Sequence, residues 1–351
     1  MTTTAAARLP PRLRAYGHVL RSRLRRRNGK PPAPHASHLL VTWRCNLRCW
    51  GCDAWQRPPD AELSAGEWAG VFRQLPFLDI LKIIGGEPFV REDLDEIVLA
   101  VRREIDPFVV QLVTNATLTD RVVRFVENHA WPALHLRLSL DGLQETHDRA
   151  RGIEGTYEQV METMRAVSAL RRKRRFQLAV NFTLTDESRG DMQPLMEQCR
   201  RLGVDLVAGF KVKPFLKHCD IRHEKPRTVA LTDHEDALRQ LRARDNGARA
   251  GFNALEKTVL HTFNRAVFGK HAAGGTSLKF RCGELRSLMY LNPAGELITC
   301  GLNQVPLGSL ARDGFETVWN SDRTAAAREA VRDCPGCLQG AVEIMSKVYG
   351  A

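Results

Sequence analysis

Three cysteines, Cys45, Cys49 and Cys52, stand close together just after a short apolar run at residues 39–43. Iron–sulfur clusters are normally held by four thiolates, so three thiols would leave one iron of a [4Fe–4S] cluster open. Structural zinc sites are closed by four ligands, and catalytic zinc sites seldom take three ligands from one short loop. An odd number of thiols and the lack of an export signal argue against disulfides. The spacing therefore favours a cluster with an open iron, and zinc or three incidental thiols are the alternatives.

Four later cysteines predict a second metal site. They are Cys282, Cys300, Cys334 and Cys337. The first two flank a predicted hairpin with strands at 288–291 and 296–300, which would bring both thiols to one side. The last two form a Cys-x2-Cys pair after a short predicted helix at 315–319. Four thiols make a closed site, and this spacing suits both a zinc ribbon and an iron–sulfur cluster.

Two cysteines stand apart from these groups. Cys199 falls in a predicted helix, where it is expected to be a small buried side chain. Cys219 lies just past the last predicted strand of the larger domain. A thiol there could donate a hydrogen atom or a proton during turnover, so Cys219 is a catalytic candidate, with an ordinary surface residue as the alternative.

A regular alternation of strand and helix patterns between residues 38 and 220 predicts the scaffold for the first thiol group. The predicted strands are 39–43, 79–84, 108–114, 134–140, 176–183 and 205–211. The predicted helices between them are 64–75, 93–104, 119–128, 156–172 and 192–202. Such alternation implies parallel strands joined by right-handed crossovers. Six units are too few to close an eight-stranded barrel.

Polar residues follow the predicted strands at the ends where a parallel barrel carries its chemistry. The second strand runs into the turn Gly85-Gly86-Glu87-Pro88. Later strands end at Asn115, at Ser139 and Asp141, and at Asn181. Hydroxyls, amides and carboxylates there suit the binding of a ribose and a carboxylate, whereas each alone could merely cap a turn. Their joint placement with the three cysteines predicts one site.

The Cys-x3-Cys-x2-Cys loop at 45–52 and the Gly-Gly-Glu-Pro turn at 85–88 resemble those of the radical S-adenosylmethionine (radical SAM) superfamily. The resemblance implies an α/β fold built as an open (β/α)6 partial barrel, with a [4Fe–4S] cluster on the three cysteines. It also implies that the open iron chelates S-adenosylmethionine (SAM). One electron, supplied by a reductant such as flavodoxin or ferredoxin, then cleaves SAM to methionine and a 5'-deoxyadenosyl radical. That radical takes a hydrogen atom from a substrate.

The same resemblance assigns residues to SAM. Contacts to its methionine part would come from Gly85, Gly86 and Glu87, and further contacts from Ser139 and Asn181, with Asn115 and Asp141 as second candidates. One departure concerns the adenine. The family usually has an aromatic residue immediately before the third cysteine, where it touches the adenine. Here Gly51 stands at that place and Trp50 is one place earlier.

The second cysteine group resembles the short auxiliary domain called twitch and its longer relative, the SPASM domain. This resemblance implies one auxiliary [4Fe–4S] cluster on Cys282, Cys300, Cys334 and Cys337. No cysteine follows Cys337, so one auxiliary cluster is expected.

The charge of the chain is concentrated at its beginning. The formal net charge is +12 over 351 residues, and residues 1–30 hold nine Lys or Arg with no Asp or Glu. The remainder is nearly balanced, so nucleic acid is not expected as a partner. Residues 8–30 have the pattern of a basic amphipathic helix for anionic lipid or an acidic partner, with a frayed tail as the alternative. No run of eighteen apolar residues occurs, and the expected location is the cytoplasm.

The predicted organisation has five parts. They are a basic tail and Pro-rich linker at 1–37, a partial barrel at 38–220, a linker or lid at 221–275, the auxiliary-cluster domain at 276–340 and a tail at 341–351. Because only 37 residues precede the barrel, a leader-peptide-binding domain is expected to be a separate protein.

The expected activity is the oxidative modification of a small biosynthetic intermediate, with the auxiliary cluster accepting an electron. The alternatives are maturation of a ribosomally made peptide or protein residue by crosslinking, oxidation or epimerisation, and modification of a lipid or membrane-surface substrate. A non-catalytic metal-binding interaction protein is the alternative from a different class.

Overall fold

The computed structural model describes residues 31–50, 52–58, 61–76, 78–185, 187–210, 283–301 and 304–332. Within these residues a single sheet of nine strands has the order β6-β5-β4-β3-β2-β1-β7-β8-β9. The strands are β1 (Ala36–Leu40), β2 (Ile80–Ile84), β3 (Val109–Thr114), β4 (Leu134–Ser139), β5 (Gln177–Leu184), β6 (Asp205–Phe210), β7 (Leu288–Leu291), β8 (Glu296–Ile298) and β9 (Pro306–Ser309). Strands β1 to β7 pair in parallel, and β8 and β9 are antiparallel additions. The predicted α/β partial barrel is confirmed.

Helices connect the strands of the barrel. Those of the described residues are α1 (Ala65–Phe72), α2 (Leu94–Glu104), α3 (Thr119–His129), α4 (Gln144–Arg151), α5 (Thr156–Leu170), α6 (Met192–Arg201), α7 (Leu310–Asp313), α8 (Phe315–Trp319) and α9 (Asp322–Arg332). Short 3-10 turns lie at Ala54–Gln56, Pro88–Val90 and Arg189–Asp191. Helix α1 begins with a capping box, in which Ser64 and Glu67 satisfy each other's backbone N–H groups.

Two differences from the sequence prediction stand out. The first strand ends at Leu40, whereas the apolar run continues to Trp43. Trp43 lies beyond the end of the strand but is nevertheless buried, because it packs with Leu40 and Ala54 in a small apolar cluster. Helix α4 was not predicted: it is strongly polar, and its one buried residue is His147, so it has no apolar periodicity to reveal it.

The two faces of the sheet differ in chemistry. Alternate strand residues such as Leu39, Leu81 and Leu136 lie in the main core, which also contains Trp68 of α1 and Phe125 of α3. The residues between them point to the opposite face, which is the inner face of the open barrel. Parallel strands are commonly apolar on both faces. Here the inner face is apolar near β1, β7 and β8, carries single polar residues between apolar ones on β2 and β3, and is mostly polar on β4 and β5.

The hairpin predicted for the auxiliary domain is part of the same sheet. Strand β7 pairs in parallel with β1, and β8 then turns back to pair with β7. The two parts of the chain that carry the cysteine groups are therefore joined by a strand pair. The basic tail, the linker at 221–275, Cys219, Cys282, Cys334 and Cys337 lie outside the described residues.

Arg91 fastens the end of β1 to its surroundings. Its side chain is 4% exposed. The guanidinium donates to the carbonyl oxygens of Val41 and Leu63, each at 2.8 Å, and pairs with Asp93 at 2.7 Å and Glu62 at 3.3 Å. One buried cation thus holds the segment that leads into the cysteine loop.

Replacing Arg91 with Met is expected to destabilise the protein by about 3 kcal/mol, because the carbonyl oxygens of Val41 and Leu63 lose this buried donor and Glu62 loses one of its two cationic contacts. Arg103→Met is the matched control, since that guanidinium is 64% exposed and pairs only with its neighbour Glu104 in the described structure. The control should change stability by less than about 0.5 kcal/mol. Urea unfolding measures the free energy of unfolding of both variants. Equal decreases in the two variants would contradict the proposed role of Arg91.

Candidate functional site

The three cysteines of the first group lie in an irregular loop beyond β1. We call residues 45–52 the cluster loop. Cys45 and Cys49 are half-buried, Cys52 is exposed, and none forms a disulfide. Across the described residues, no three His, Cys, Asp or Glu side chains converge around a point that would suit one metal ion. An iron–sulfur cluster contains several metal atoms and takes one thiolate on each iron, so its thiols surround a larger volume.

Two glycines explain how the cluster loop can lie so close to the end of β2. A Cβ atom on Gly85 would stand 2.5 Å from the carbonyl oxygen of Thr42, and one on Gly86 would overlap the carbonyl oxygen of Arg44. The Gly86 N–H donates to Thr42 at 2.7 Å. The Gly-Gly pair therefore allows backbone to pack on backbone at the start of the cluster loop. The predicted contact of these glycines with SAM remains a prediction.

Glu87 is completely buried, and its carboxylate is held by the chain itself. It accepts hydrogen bonds from the backbone N–H of Phe89 at 3.0 Å, the Thr114 hydroxyl at 2.8 Å and the backbone N–H of Asn115 at 2.6 Å. Burial raises the pKa of the Glu87 carboxyl to about 7, although these donors oppose the shift. The side chain thus ties the end of β2 to the end of β3. The predicted role of Glu87 toward SAM remains a prediction.

Asn115 is fastened to the cluster loop through Asn46. The Asn115 amide donates to the Asn46 side-chain oxygen at 2.8 Å, and the Asn46 amide donates to the Thr117 hydroxyl at 2.8 Å. Sequence reasoning placed Asn115 at the site but missed Asn46, although it directly follows the first cysteine. Asn side chains commonly form hydrogen bonds that stabilise irregular loops. The position of Asn46 in the loop could therefore have indicated its role.

The C-terminal end of α4 packs on the other side of the cluster loop. The Trp50 N–H donates to the Ala150 carbonyl at 3.3 Å. Gly152 ends the helix with φ +74°, and a Cβ there would stand 2.5 Å from the Arg48 carbonyl oxygen. The absence of a side chain at Gly152 therefore sets how closely the helix approaches the loop. Sequence reasoning missed this helix end, although an Arg followed by Gly is a helix C-terminus signal.

Arg151 brings a positive charge to the thiols. Its guanidinium lies 3.9 Å from the Cys49 sulfur and 2.9 Å from the Asp141 carboxylate, and both charged side chains are 14% exposed. The other Asp141 oxygen accepts from the Thr183 N–H at 3.1 Å. The Asp141 N–H donates to His147 at 3.0 Å, and burial lowers the pKa of His147 to about 4, which keeps it a neutral acceptor. Asp141, which the sequence predicted for SAM, thus orients the cation beside Cys49.

Ser139 and Asn181 lie side by side at the ends of β4 and β5. The two residues are register partners, both half-buried, and the Leu140 N–H donates to the Asn181 carbonyl at 3.0 Å. Near them a cleft open to solvent is lined by Trp50, Asp141, Thr146, Arg149, Ala150, Thr183, Thr185 and Glu187. The indole of Trp50 is 47% exposed there. The structure therefore brings the predicted strand-end residues and the cluster loop to one side of the sheet.

A second set of contacts connects the cluster loop to the auxiliary segment. Arg57 pairs with Asp53 at 2.9 Å, lies 4.3 Å over the ring of Trp43 and donates to the side chain of Gln304. Gln304 lies shortly after Cys300, which is half-buried. The segments that follow Cys52 and Cys300 are thereby held against each other.

Comparison with known protein families identifies two domains. Residues 39–199 match the Radical SAM superfamily, and residues 282–338 match the SPASM iron-sulfur cluster-binding domain. The first match begins before the cluster loop and includes every predicted SAM contact. The second runs from Cys282 to beyond Cys337.

Individual relatives show how far the likeness extends. The chain is 29% identical to pre-heme d1 synthase of Dinoroseobacter shibae over 47% of this chain, but the match spans only 40% of that relative. It is 21% identical to the sporulation killing factor maturation protein SkfB of Bacillus subtilis, over 89% of this chain and 70% of the relative. The crystal structure of Streptococcus suis SuiB bound to the precursor peptide SuiA shares the fold, with a TM-score of 0.62 at 16% identity, covering 91% of this chain and 70% of SuiB. No helix in the described part of the chain is long and apolar enough to cross a membrane.

Gly152→Ala is expected to prevent assembly of the cluster on the cluster loop. The new Cβ would strike the Arg48 carbonyl, whereas Gly155→Ala meets nothing within 4 Å and has a similar backbone, with φ +82°. Each substitution places Ala at a positive φ, which costs about 1–2 kcal/mol, so this cost is the same in the variant and in its control. Iron and sulfide per chain after anaerobic reconstitution should fall for Gly152→Ala and stay near the unsubstituted value for Gly155→Ala. Equal iron in the two variants would contradict the packing argument.

Proposed function

We propose that this chain, a radical SAM protein with a C-terminal SPASM domain, oxidises a small biosynthetic intermediate after a hydrogen atom has been removed from it. When bound, the [4Fe–4S] cluster and SAM supply a 5'-deoxyadenosyl radical that abstracts this hydrogen atom. The observation that carries the proposal is the cluster loop itself, whose three thiols lie at the strand ends of an open barrel beside a buried guanidinium.

The cluster would be held by Cys45, Cys49 and Cys52, and the surrounding residues fit that role. Burial raises the pKa of the Cys45 thiol to about 11, so the thiol gives up its proton only on binding metal. The Leu47 N–H donates to the Cys45 sulfur at 3.4 Å, and the Arg151 guanidinium faces the Cys49 sulfur. Donors and cations directed at thiolate sulfur stabilise its negative charge and adjust the reduction potential.

The residues proposed to hold SAM surround the same loop. Ser139 and Asn181 would contact SAM from the ends of β4 and β5, and the Gly85-Gly86 turn would meet its methionine part. Trp50 would form a wall of the adenine site, in the place that the family gives to the residue before the third cysteine. The support for Trp50 is its exposed ring at the cleft shared with Thr183. Asn115 and Asp141 would act by holding the cluster loop and Arg151 in place.

Net oxidation requires that the substrate loses a second electron. Cys282, Cys300, Cys334 and Cys337 would hold an auxiliary [4Fe–4S] cluster, which would supply an acceptor for this electron. The abstracted hydrogen atom would leave as part of 5'-deoxyadenosine, and a proton would be released to solvent. The contacts of Arg57 with Trp43 and Gln304 support this arrangement, because they keep the auxiliary segment beside the cluster loop. A reductant such as flavodoxin or ferredoxin would supply the electron that starts the cycle. Cys219 would matter only in a redox-neutral variant, in which it returns a hydrogen atom.

Peptide maturation is the second candidate function. It is favoured by the match to SkfB, a maturation protein, over 89% of this chain, and by the shared fold with SuiB, whose crystal structure contains a precursor peptide. The match to pre-heme d1 synthase supports the small-molecule alternative over a shorter range. The two candidates differ in the molecule that enters the barrel and share every residue of the cluster loop.

The substrate class is tested with anaerobically reconstituted protein, reductant and SAM. Formation of 5'-deoxyadenosine is measured after addition of either the small-molecule or the peptide fraction of the source cell's extract. Stimulation by the small-molecule fraction is expected. Stimulation by the peptide fraction alone would replace the first candidate with the second.

Replacing Cys45, Cys49 and Cys52 together with Ala should abolish 5'-deoxyadenosine formation, since no thiolate remains to hold the barrel cluster. Cys199→Ala is the matched thiol control, because that side chain is buried in the core on α6. The control should retain the activity. Undiminished 5'-deoxyadenosine from the triple variant would end the radical SAM proposal for this loop.

Trp50→Ala is expected to weaken SAM binding at least about fivefold, which is the lower end of the effect of removing an aromatic ring stacked on a base. Leu99→Ala on α2 removes a comparably exposed apolar side chain, 38% exposed, far along the chain from the cluster loop. Equilibrium dialysis of SAM with the reconstituted proteins measures both. Unchanged binding by Trp50→Ala would remove Trp50 from the adenine site.

A further inference from the structure

The inner face of the barrel carries a continuous row of polar side chains. Register pairing places one residue from each of six neighbouring strands in this row: Tyr290, His38, Lys82, Gln111, His135 and Gln177. The residues that precede or follow them, such as Leu39, Leu81 and Leu112, lie in the core beneath the helices. The row therefore faces the interior of the open barrel. Arg137 is the next inward residue on β4, two positions beyond His135.

Two of these inward residues are cations. Burial and then the nearby Arg137 lower the pKa of Lys82 to about 8, so the ammonium still carries its charge at neutral pH. Arg137 is 7% exposed. Both cations are thus buried on the inner face, close enough that the charge of Arg137 acts on Lys82.

His38 supplies a second, independent observation. Its side chain is 6% exposed, and its Nδ1 atom has no hydrogen-bond partner among the described residues. The ring meets Tyr290 edge-on at 4.4 Å and is the register neighbour of Lys82. Burial, and secondly Lys82, hold the pKa of His38 well below its usual value, so the imidazole is neutral. A buried nitrogen without a partner is unfavourable, and a ligand beside Lys82 would provide one.

We infer that the inner face between β1 and β4 binds a carboxylate of the substrate, with Lys82 and Arg137 as its cationic contacts and His38 as a hydrogen-bonding neighbour. The inference rests on the proposed function and narrows its substrate class. A carboxylate pairs with an ammonium and with a guanidinium through charge-assisted hydrogen bonds, and the two neighbouring cations therefore favour such a group. A free small acid and an acidic peptide both carry such a group.

The position of the two cations also limits the shape of the substrate. Lys82 lies two residues before the end of β2, and Arg137 lies two residues before the end of β4. Two residues along a parallel strand cover about 6.6 Å. By register Lys82 is level with His135, so Arg137 lies two residues nearer the strand ends than Lys82 does. A carboxylate held by both cations therefore binds below the end of β4, and the carbon that loses hydrogen lies above it, toward the cluster loop. The substrate must have an arm that joins these two groups.

The binding site can be tested without any turnover. Acetate and acetamide have nearly the same shape, and only acetate carries the charge. The thermal unfolding midpoint of the reconstituted protein is measured with increasing acetate or acetamide at constant ionic strength. Acetate is expected to raise the midpoint in a saturable manner and acetamide to leave it unchanged. Equal effects of the two compounds on the unsubstituted protein would overturn the inference, whatever the behaviour of any variant.

Variants locate the site. Lys82→Met and Arg137→Met should each weaken acetate binding at least about tenfold, since each removes one charge-assisted contact. Arg103→Met, whose guanidinium is exposed on α2, should bind acetate as the unsubstituted protein does. Lys82→Met should also raise the midpoint in the absence of acetate, because it removes one of two buried like charges; a merely structural lysine would lower it. Acetate binding unaffected by either substitution would place the anion elsewhere and overturn the inference.

A second arm connects the site to turnover. Carboxylates in the small-molecule and peptide fractions are converted to methylamides, and each treated fraction is compared with its untreated half for stimulation of 5'-deoxyadenosine formation. The fraction that contains the substrate should no longer stimulate 5'-deoxyadenosine formation after treatment. Whether that fraction is the small-molecule or the peptide fraction distinguishes a free acid from an acidic peptide. Stimulation that survives the treatment would overturn the inference while leaving the proposed function intact. Failure of 5'-deoxyadenosine formation in every fraction would count against the proposed function, and the acetate measurements would still decide the anion site.

Discussion

The described residues of the cluster loop form neither helix nor strand, so their positions depend on backbone contacts from neighbouring segments. The Gly85-Gly86 turn packs against the residues that enter the loop, and the end of α4 at Gly152 packs against Arg48 inside it. Asn46 connects the same loop to the end of β3. At both glycine contacts a methyl group would be enough to force the backbones apart. The positions of the three thiols thus follow from how closely the ends of β2 and α4 approach the loop.

The charges around the loop obey a second constraint. A guanidinium placed as deeply as that of Arg151 is costly to bury unless anions surround it. Asp141 is one such anion, and the thiolates of a bound cluster would be others. Asp141 is itself positioned by the Thr183 and His147 contacts, so β4, β5 and α4 jointly determine where the positive charge lies. The same strand ends therefore set both the geometry and the electrostatics of the site.

Much of this arrangement was accessible from the sequence, and the remainder was hidden for physical reasons. Alternating strands and helices were visible because parallel strands and amphipathic helices have distinct apolar periods. Helix α4 could not be predicted because most of its residues face solvent and give no apolar period. For the same reason the roles of Arg151 and Gly152 at its C-terminal end were not predicted. The partners of Glu87 could not be foreseen because they are backbone N–H groups contributed by a different strand end. The sequence contains the polar residues of the inner row, but only the register of the strands shows that His38 and Lys82 are neighbours.

The place of β1 in the sheet has a consequence for synthesis. Strands β2 to β6 can each pair with the strand before them as the chain leaves the ribosome. The other edge of β1 waits for β7, which begins at residue 288, whereas β1 begins at residue 36. Until then the strand that leads into the cluster loop is an open edge, of the kind that invites pairing with other chains. The nascent barrel therefore exposes an unpaired edge at the strand that leads into the cluster loop, and pairing of β7 with β1 closes that edge.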